Sequence, residues 1–130
     1  MVKRSGFSLL ELMIVLSLLG LLASIVTATH RNSTQKAKET VLRHNLVSLR
    51  SVFDQYNNDK GRYPESLDSL VDEGYLREIP VDPITRSRET WQVVFEEDFG
   101  DEDSSYEPGI FDVKSGSAEK ALDGTYYYEW

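Results

Sequence analysis

Between Phe7 and Val26 the chain reads FSLLELMIVLSLLGLLASIV, twenty residues with a single charge. As an α-helix this run is about 30 Å long, the thickness of a bilayer's hydrocarbon core. Secretory signal peptides carry shorter apolar cores, roughly 7–15 residues, followed by a small-residue cleavage site. Here the following residues are Thr27-Ala28-Thr29-His30, with no A-x-A pattern, so the run is expected to persist as a membrane helix. That leaves about a hundred of the 130 residues for a water-soluble body, enough for one domain and too few for a large two-domain enzyme. Lys3 and Arg4 precede the run, while Arg31, Lys36, Lys38 and Arg43 follow it against Glu39, so charge bias alone does not orient the helix.

Glu11 stands four residues into the apolar block. A carboxylate facing lipid is disfavoured by about 2.5–3.5 kcal/mol on insertion scales, so it calls for a partner or an escape to water. Position alone leaves two readings: the side chain snorkels at headgroup depth, or it pairs with a positive group on a neighbouring copy of the chain.

Charge and composition remove several classes. Residues 1–88 carry 12 basic and 10 acidic side chains, whereas residues 89–130 carry 2 and 12, so the last third is strongly acidic. Such a surface repels phosphate backbones, and no basic stripe offers a nucleic-acid footprint. There is no cysteine, hence no disulfide, thiolate nucleophile or Cys-ligated metal. No P-loop, G-x-G-x-x-G or HExxH occurs, and His30 and His44 lack a catalytic constellation. Asn32-Ser33-Thr34 matches a glycosylation sequon of small predictive value.

Beyond the membrane run, Leu42, Leu46, Leu49, Phe53 and Tyr56 recur at spacings of 4, 3, 4 and 3, one apolar stripe on a helix. Val52 widens the stripe and Ala37 begins it; Lys38, Glu39, Arg43, Arg50, Asp54 and Gln55 form the polar face. No Pro or Gly interrupts residues 21–60, so the membrane and stem helices read as one rod ending near Gly61. Residues 62–71 predict a turn and a short helix with Pro64 near its first turn, and Gly74 stops it. Glu78 to Pro83 is extended or turn because each residue before a proline is pushed out of the helical region. Strands are expected at Trp91 to Glu96, Gly109 to Val113 and Thr125 to Trp130, giving a small antiparallel sheet. Trp91, Tyr126, Tyr127, Tyr128 and Trp130 read as core in such strands rather than as a binding surface.

The order Lys3-Arg4-Ser5-Gly6, then Phe7-Ser8-Leu9-Leu10-Glu11-Leu12-Met13 and a continuous apolar helix, resembles the class III signal of type IV pilins and the pseudopilins of type II secretion. The turn Asn58-x-x-Gly61-Arg62-Tyr63-Pro64, then Gly74-Tyr75-Leu76, Ile79-Pro80-x-Asp82-Pro83, Ile110 to Ser117 and Asp123-Gly124-Thr125 to Trp130 are similar to the G-type major pseudopilin. The resemblance implies an α+β pilin-like fold, a long N-terminal helix packed on a small antiparallel sheet. It divides the chain into a leader at 1–6, a transmembrane and assembly helix at 7–28, an amphipathic stem at 29–60 and a periplasmic head at 61–130.

It further implies that a prepilin peptidase cuts after Gly6 and methylates the new amino terminus, Phe7. Glu11 becomes the fifth mature residue and pairs with the Phe7 amine of an adjacent subunit during assembly. The implied product is a self-associating helical filament on a single-pass inner-membrane anchor, working with minor pseudopilins and an assembly platform with its ATPase. Ala28 stands where many members carry a helix-loosening proline. Alternatives are a surface pilin for adhesion or motility, or a membrane-tethered binding module or small enzyme. The buried carboxylate argues against a plain anchor, which gains nothing from it.

The resemblance also implies a structural Ca²⁺ ion in the C-terminal loop, for which the matching stretch offers Asp112, Ser115, Ser117 and Asp123. The alternative is that these residues make Asx and Ser turns. A competing pattern, Asp101-x-Asp103-x-Ser105, starts like an EF-hand. It has Tyr106 at the sixth position and Asp112 at the twelfth, and reads as a solvated acidic loop.

Overall fold

A computed structural model describes residues 6–97 and 107–130. The leader up to Ser5 and the EF-hand-like pattern of Asp101, Asp103 and Ser105 with Tyr106 lie outside the described residues. The elements are α1 (Leu9–Lys60), α2 (Leu67–Asp72), β1 (Gln92–Phe95), β2 (Ile110–Lys114) and a 3₁₀ turn at Tyr127–Glu129. Two compact units divide the chain, one up to Gln35 and one from Lys36 to Trp130.

In the first unit α1 carries an 18-residue stretch, Leu9–Val26, long and apolar enough to cross a membrane, and none of it is buried against the rest of the chain. Its polar side chain Ser17 donates to the Met13 carbonyl one turn back at 2.8 Å, so the hydroxyl is satisfied within the helix.

In the second unit the later turns of α1 bury the predicted stripe: Leu42, Leu46, Leu49, Phe53 and Tyr56 are at most 2% exposed. Burying a side chain of this size contributes about 1.5–3 kcal/mol. The stripe begins with Glu39 rather than Ala37, which is exposed. Leu70, Trp91, Ile110, Val113, Ala121 and Tyr127 complete the core. Gly61, at φ 73°, takes the left-handed conformation that ends a helix.

The short helix starts later than expected. Ser66 accepts the Ser69 N–H at 3.1 Å and caps α2, so Pro64 lies two residues ahead of the cap. Pro64 is buried instead, and its carbonyl accepts the Ile110 N–H at 2.8 Å, joining this turn to β2.

β1 and β2 pair antiparallel, with Val94 opposite Asp112 and Phe95 opposite Ile110, so Phe111 is the extra residue of a bulge. The bulge and strand end leave Phe95 and Phe111 half-exposed. The expected third strand at Thr125 to Trp130 is not formed. The Glu129 carboxylate accepts the Tyr126 N–H at 3.1 Å, and the Glu129 N–H bonds back to the Tyr126 carbonyl at 3.0 Å, coiling the segment into a 3₁₀ turn. Residues three apart then share a face. Tyr127 enters the core and meets the Trp130 ring edge-on at 5.2 Å, whereas strand alternation would send them to opposite faces.

Candidate functional site

The N-terminal site occupies the start of the first unit. Gly6 and Phe7 precede the helix in non-helical backbone; Phe7 is 77% exposed, and among the described residues, chain neighbours aside, no atom lies within 4 Å of where a Gly6 Cβ would stand. Glu11 lies in the first turn of α1, where the helix dipole favours a negative charge, and is exposed. The apolar side chains behind it, from Leu9 to Val26, present a continuous uncovered surface of the kind that buries only in lipid or against other helices.

In the second unit the C-terminal segment is organised by polar side chains of α1 and of the 80–90 loop. Asp112 Oδ1 accepts Arg50 Nε–H at 2.6 Å and the Val113 N–H at 2.8 Å. Arg50 Nη2 also donates to the main-chain oxygens of Val113 and Trp130 at 3.2 and 2.8 Å. Ser115 donates its hydroxyl to Asp82 Oδ2 at 2.6 Å and accepts the Ser117 N–H at 3.2 Å. Ser117 Oγ accepts the Glu119 N–H at 3.2 Å. Asp123 Oδ1 accepts the Thr125 N–H and hydroxyl at 2.9 and 2.6 Å, and these bonds, the hydroxyl's first, hold its carboxyl below the usual aspartate range. Three of the four residues offered for calcium, Ser115, Ser117 and Asp123, make the Ser and Asx turns that were their alternative, Asp112 instead pairs with Arg50 from within β2, and among the described residues no three acidic or histidine side chains group to hold a metal.

Three structural residues escaped the sequence reading. Glu39, assigned to the polar face, is 9% exposed and accepts the Tyr127 hydroxyl at 2.9 Å and the Leu122 N–H at 2.8 Å. Its signal was the spacing, since 39 lies three before Leu42 and extends the stripe. Asp82 is fully buried; its Oδ1 accepts the Ile84 and Thr85 N–H groups at 2.8 and 3.3 Å. An Asp beginning a Pro-containing turn is the cue for that role. Arg50 sits at the stripe's edge, where a long side chain reaches neighbouring strands. At the far end of α1, Glu73 accepts from Lys60 at 2.9 Å and from the Tyr56 hydroxyl at 2.8 Å. Those bonds, Lys60 first, lower its pKa.

Comparison with known proteins bears on both units. The prokaryotic N-terminal methylation motif matches residues 1–27. The type II secretion system core protein G of Aeromonas hydrophila is 35% identical over 97 aligned residues, covering 62% of this chain and 68% of the relative. The proteins of the same name from Escherichia coli K12 and Pseudomonas aeruginosa are 33% and 32% identical, covering 67% and 68% of their lengths and 62% of this chain. No solved structure matches. With a relative at this identity spanned over two thirds of its length, the chain belongs to the type II secretion system core protein G family.

Proposed function

We propose that this chain is a major pseudopilin: a structural, non-enzymatic subunit that enters the inner membrane by its N-terminal helix, loses residues 1–6, and assembles into a helical fibre carrying its head in the periplasm. One observation carries the reading. The methylation motif matched over residues 1–27 contains an exposed apolar helical stretch, Leu9–Val26, whose one carboxylate, Glu11, stands in the first turn. Cleavage after Gly6 would free a charged amine at Phe7, and Glu11 of an adjacent copy would neutralise it, so that two charges leave lipid contact together. Like helices packing head to tail in an interface that does not close generate a filament. The work of extrusion falls to a separate ATPase, with minor pseudopilins and an assembly platform as the other partners.

The test is mass spectrometry of the protein purified from its native membranes, followed by filament imaging. A chain beginning at methylated Phe7, forming fibres that thin or vanish in Glu11→Ala while membrane insertion is kept, is the expected result. A chain still carrying residues 1–6 in cells with an active prepilin peptidase would overturn the reading and leave a tethered domain. Fibres projecting from the cell surface under native expression would favour a surface pilin instead.

A further inference from the structure

Calcium at Asp112, Ser115, Ser117 and Asp123 requires that their oxygens turn their lone pairs toward one point, since the ion gathers six to eight oxygens at about 2.3–2.6 Å. In this structure one carboxylate oxygen of each aspartate and both serine oxygens face N–H and O–H donors of the chain itself: Arg50 and Val113 on Asp112 Oδ1, Ser117 on Ser115, Glu119 on Ser117 and Thr125 on Asp123 Oδ1. Ser115 spends its own proton on Asp82. The residues present do not fit the ion.

We propose that the C-terminal segment of this chain is closed by the guanidinium groups of Arg50 and Arg43 and takes no divalent cation there. Arg50 gathers a carboxylate oxygen of Asp112 and the main-chain oxygens of Val113 and Trp130, partners 62 to 80 positions away in sequence. One carboxylate with two carbonyls is the kind of oxygen set a hard cation collects. A planar, permanently charged fork serves them from three directions in one plane, which the single ammonium of lysine does not. Arg43 secures the other side of the same segment. Its guanidinium carbon lies 4.0 Å from the centroid of the Trp130 ring and its Nη2 3.6 Å from Asp123 Oδ2. Trp130 is thereby held through its backbone by one arginine and through its ring face by the other, while its indole N–H donates to Thr125 Oγ1 at 2.8 Å. Both arginines project from the same face of α1, seven residues and two turns apart, so the helix itself supplies the charge that fastens the segment.

The full chain in detergent micelles provides the test, with tryptophan fluorescence read through a thermal melt in excess chelator and in about 2 mM calcium chloride, above the affinity range of extracellular calcium modules. The two melts are expected to coincide within about 1 °C, and equilibrium dialysis with radioactive calcium alone to show no saturable ion per chain. Arg50→Lys is expected to melt at least about 5 °C lower in both conditions, with no recovery on adding calcium. A calcium-specific rise of about 5 °C or more in the parent, or one saturable ion per chain that is lost in Asp112→Asn or Asp123→Asn, overturns the proposal. So does an Arg50→Lys chain that melts with the parent. If that variant does not fold, the parent's two melts and the dialysis decide alone.

Discussion

Replacing Asp82 by alanine takes away a fully buried carboxylate that accepts three hydrogen bonds, from the Ile84 and Thr85 N–H groups at 2.8 and 3.3 Å and from the Ser115 hydroxyl at 2.6 Å. Hydrogen bonds to a charged group contribute about 1.5–3 kcal/mol each, and a buried donor left without an acceptor costs about 1–3 kcal/mol. Because the three share one carboxylate they do not add, and a loss of about 3–5 kcal/mol is expected. In a unit the size of Lys36–Trp130, each kcal/mol moves Tm by about 4–8 °C, so Asp82→Ala should melt about 12–40 °C lower. Asp82→Asn keeps the oxygen that serves Ile84 and Thr85 and places an NH₂ opposite Ser115, whose hydroxyl can rotate to accept. That substitution should cost about 1 kcal/mol. Tryptophan fluorescence of the full chain in detergent reads the unfolding of this unit specifically. Both tryptophans, Trp91 and Trp130, lie in it, and the Trp91 indole donates to the Pro80 carbonyl at 2.8 Å, beside Asp82. A drop of less than about 5 °C in Asp82→Ala would refute the argument that the carboxylate acts as the acceptor joining the loop to the end of β2.

Gly116→Ala should lower Tm by about 5–20 °C, because the added Cβ would stand 1.9 Å from the Thr90 carbonyl oxygen, a backbone atom that moves only with the chain segment leading into β1; calorimetry of the two chains measures it. Glu73 has its pKa lowered by Lys60 and then Tyr56, so its contribution is complete above the ordinary glutamate value of 4.5 and is lost as pH falls through the depressed value. Tm of Glu73→Gln should accordingly fall less steeply than the parent's on acidification from about pH 5 to pH 3, as followed by circular dichroism. Glu39→Gln preserves an acceptor for Tyr127 and Leu122 and should lie within about 1–2 kcal/mol of the parent in urea unfolding, while Glu39→Ala should lose clearly more.

The apolar architecture was legible because periodicity reports burial directly: the 4-3-4-3 spacing from Leu42 to Tyr56 named five core residues, and all five are buried. Two of three strands were placed for the same reason. The third failed because alternation in Thr125 to Trp130 is also compatible with a tight turn, and the decision lies with one carboxylate, Glu129, capturing a backbone N–H three residues back. The polar framework was the less legible part. Glu39, Asp82 and Arg50 look like surface residues by type, and the burial of the first two and the reach of the third depend on partners 33 to 88 positions distant that no local pattern specifies. The N-terminal motif was readable in full because its signal is contiguous, one glycine, one aromatic and one acid in front of an uninterrupted apolar helix.

The long reach of those contacts sets an order of events during synthesis. Leu42, Leu46 and Leu49 leave the ribosome about 60 to 85 residues before Ile110, Val113, Ala121 and Tyr127, residues that complete the same core. Their apolar stripe therefore waits uncovered while the intervening chain is made, and the head, dominated by distant pairings, cannot close stepwise behind the emerging helix. A nascent chain stalled before Glu119 would hold the stem helix with Glu39 still lacking the Leu122 and Tyr127 donors, and should be captured by chaperones and cut by proteases that spare the finished protein.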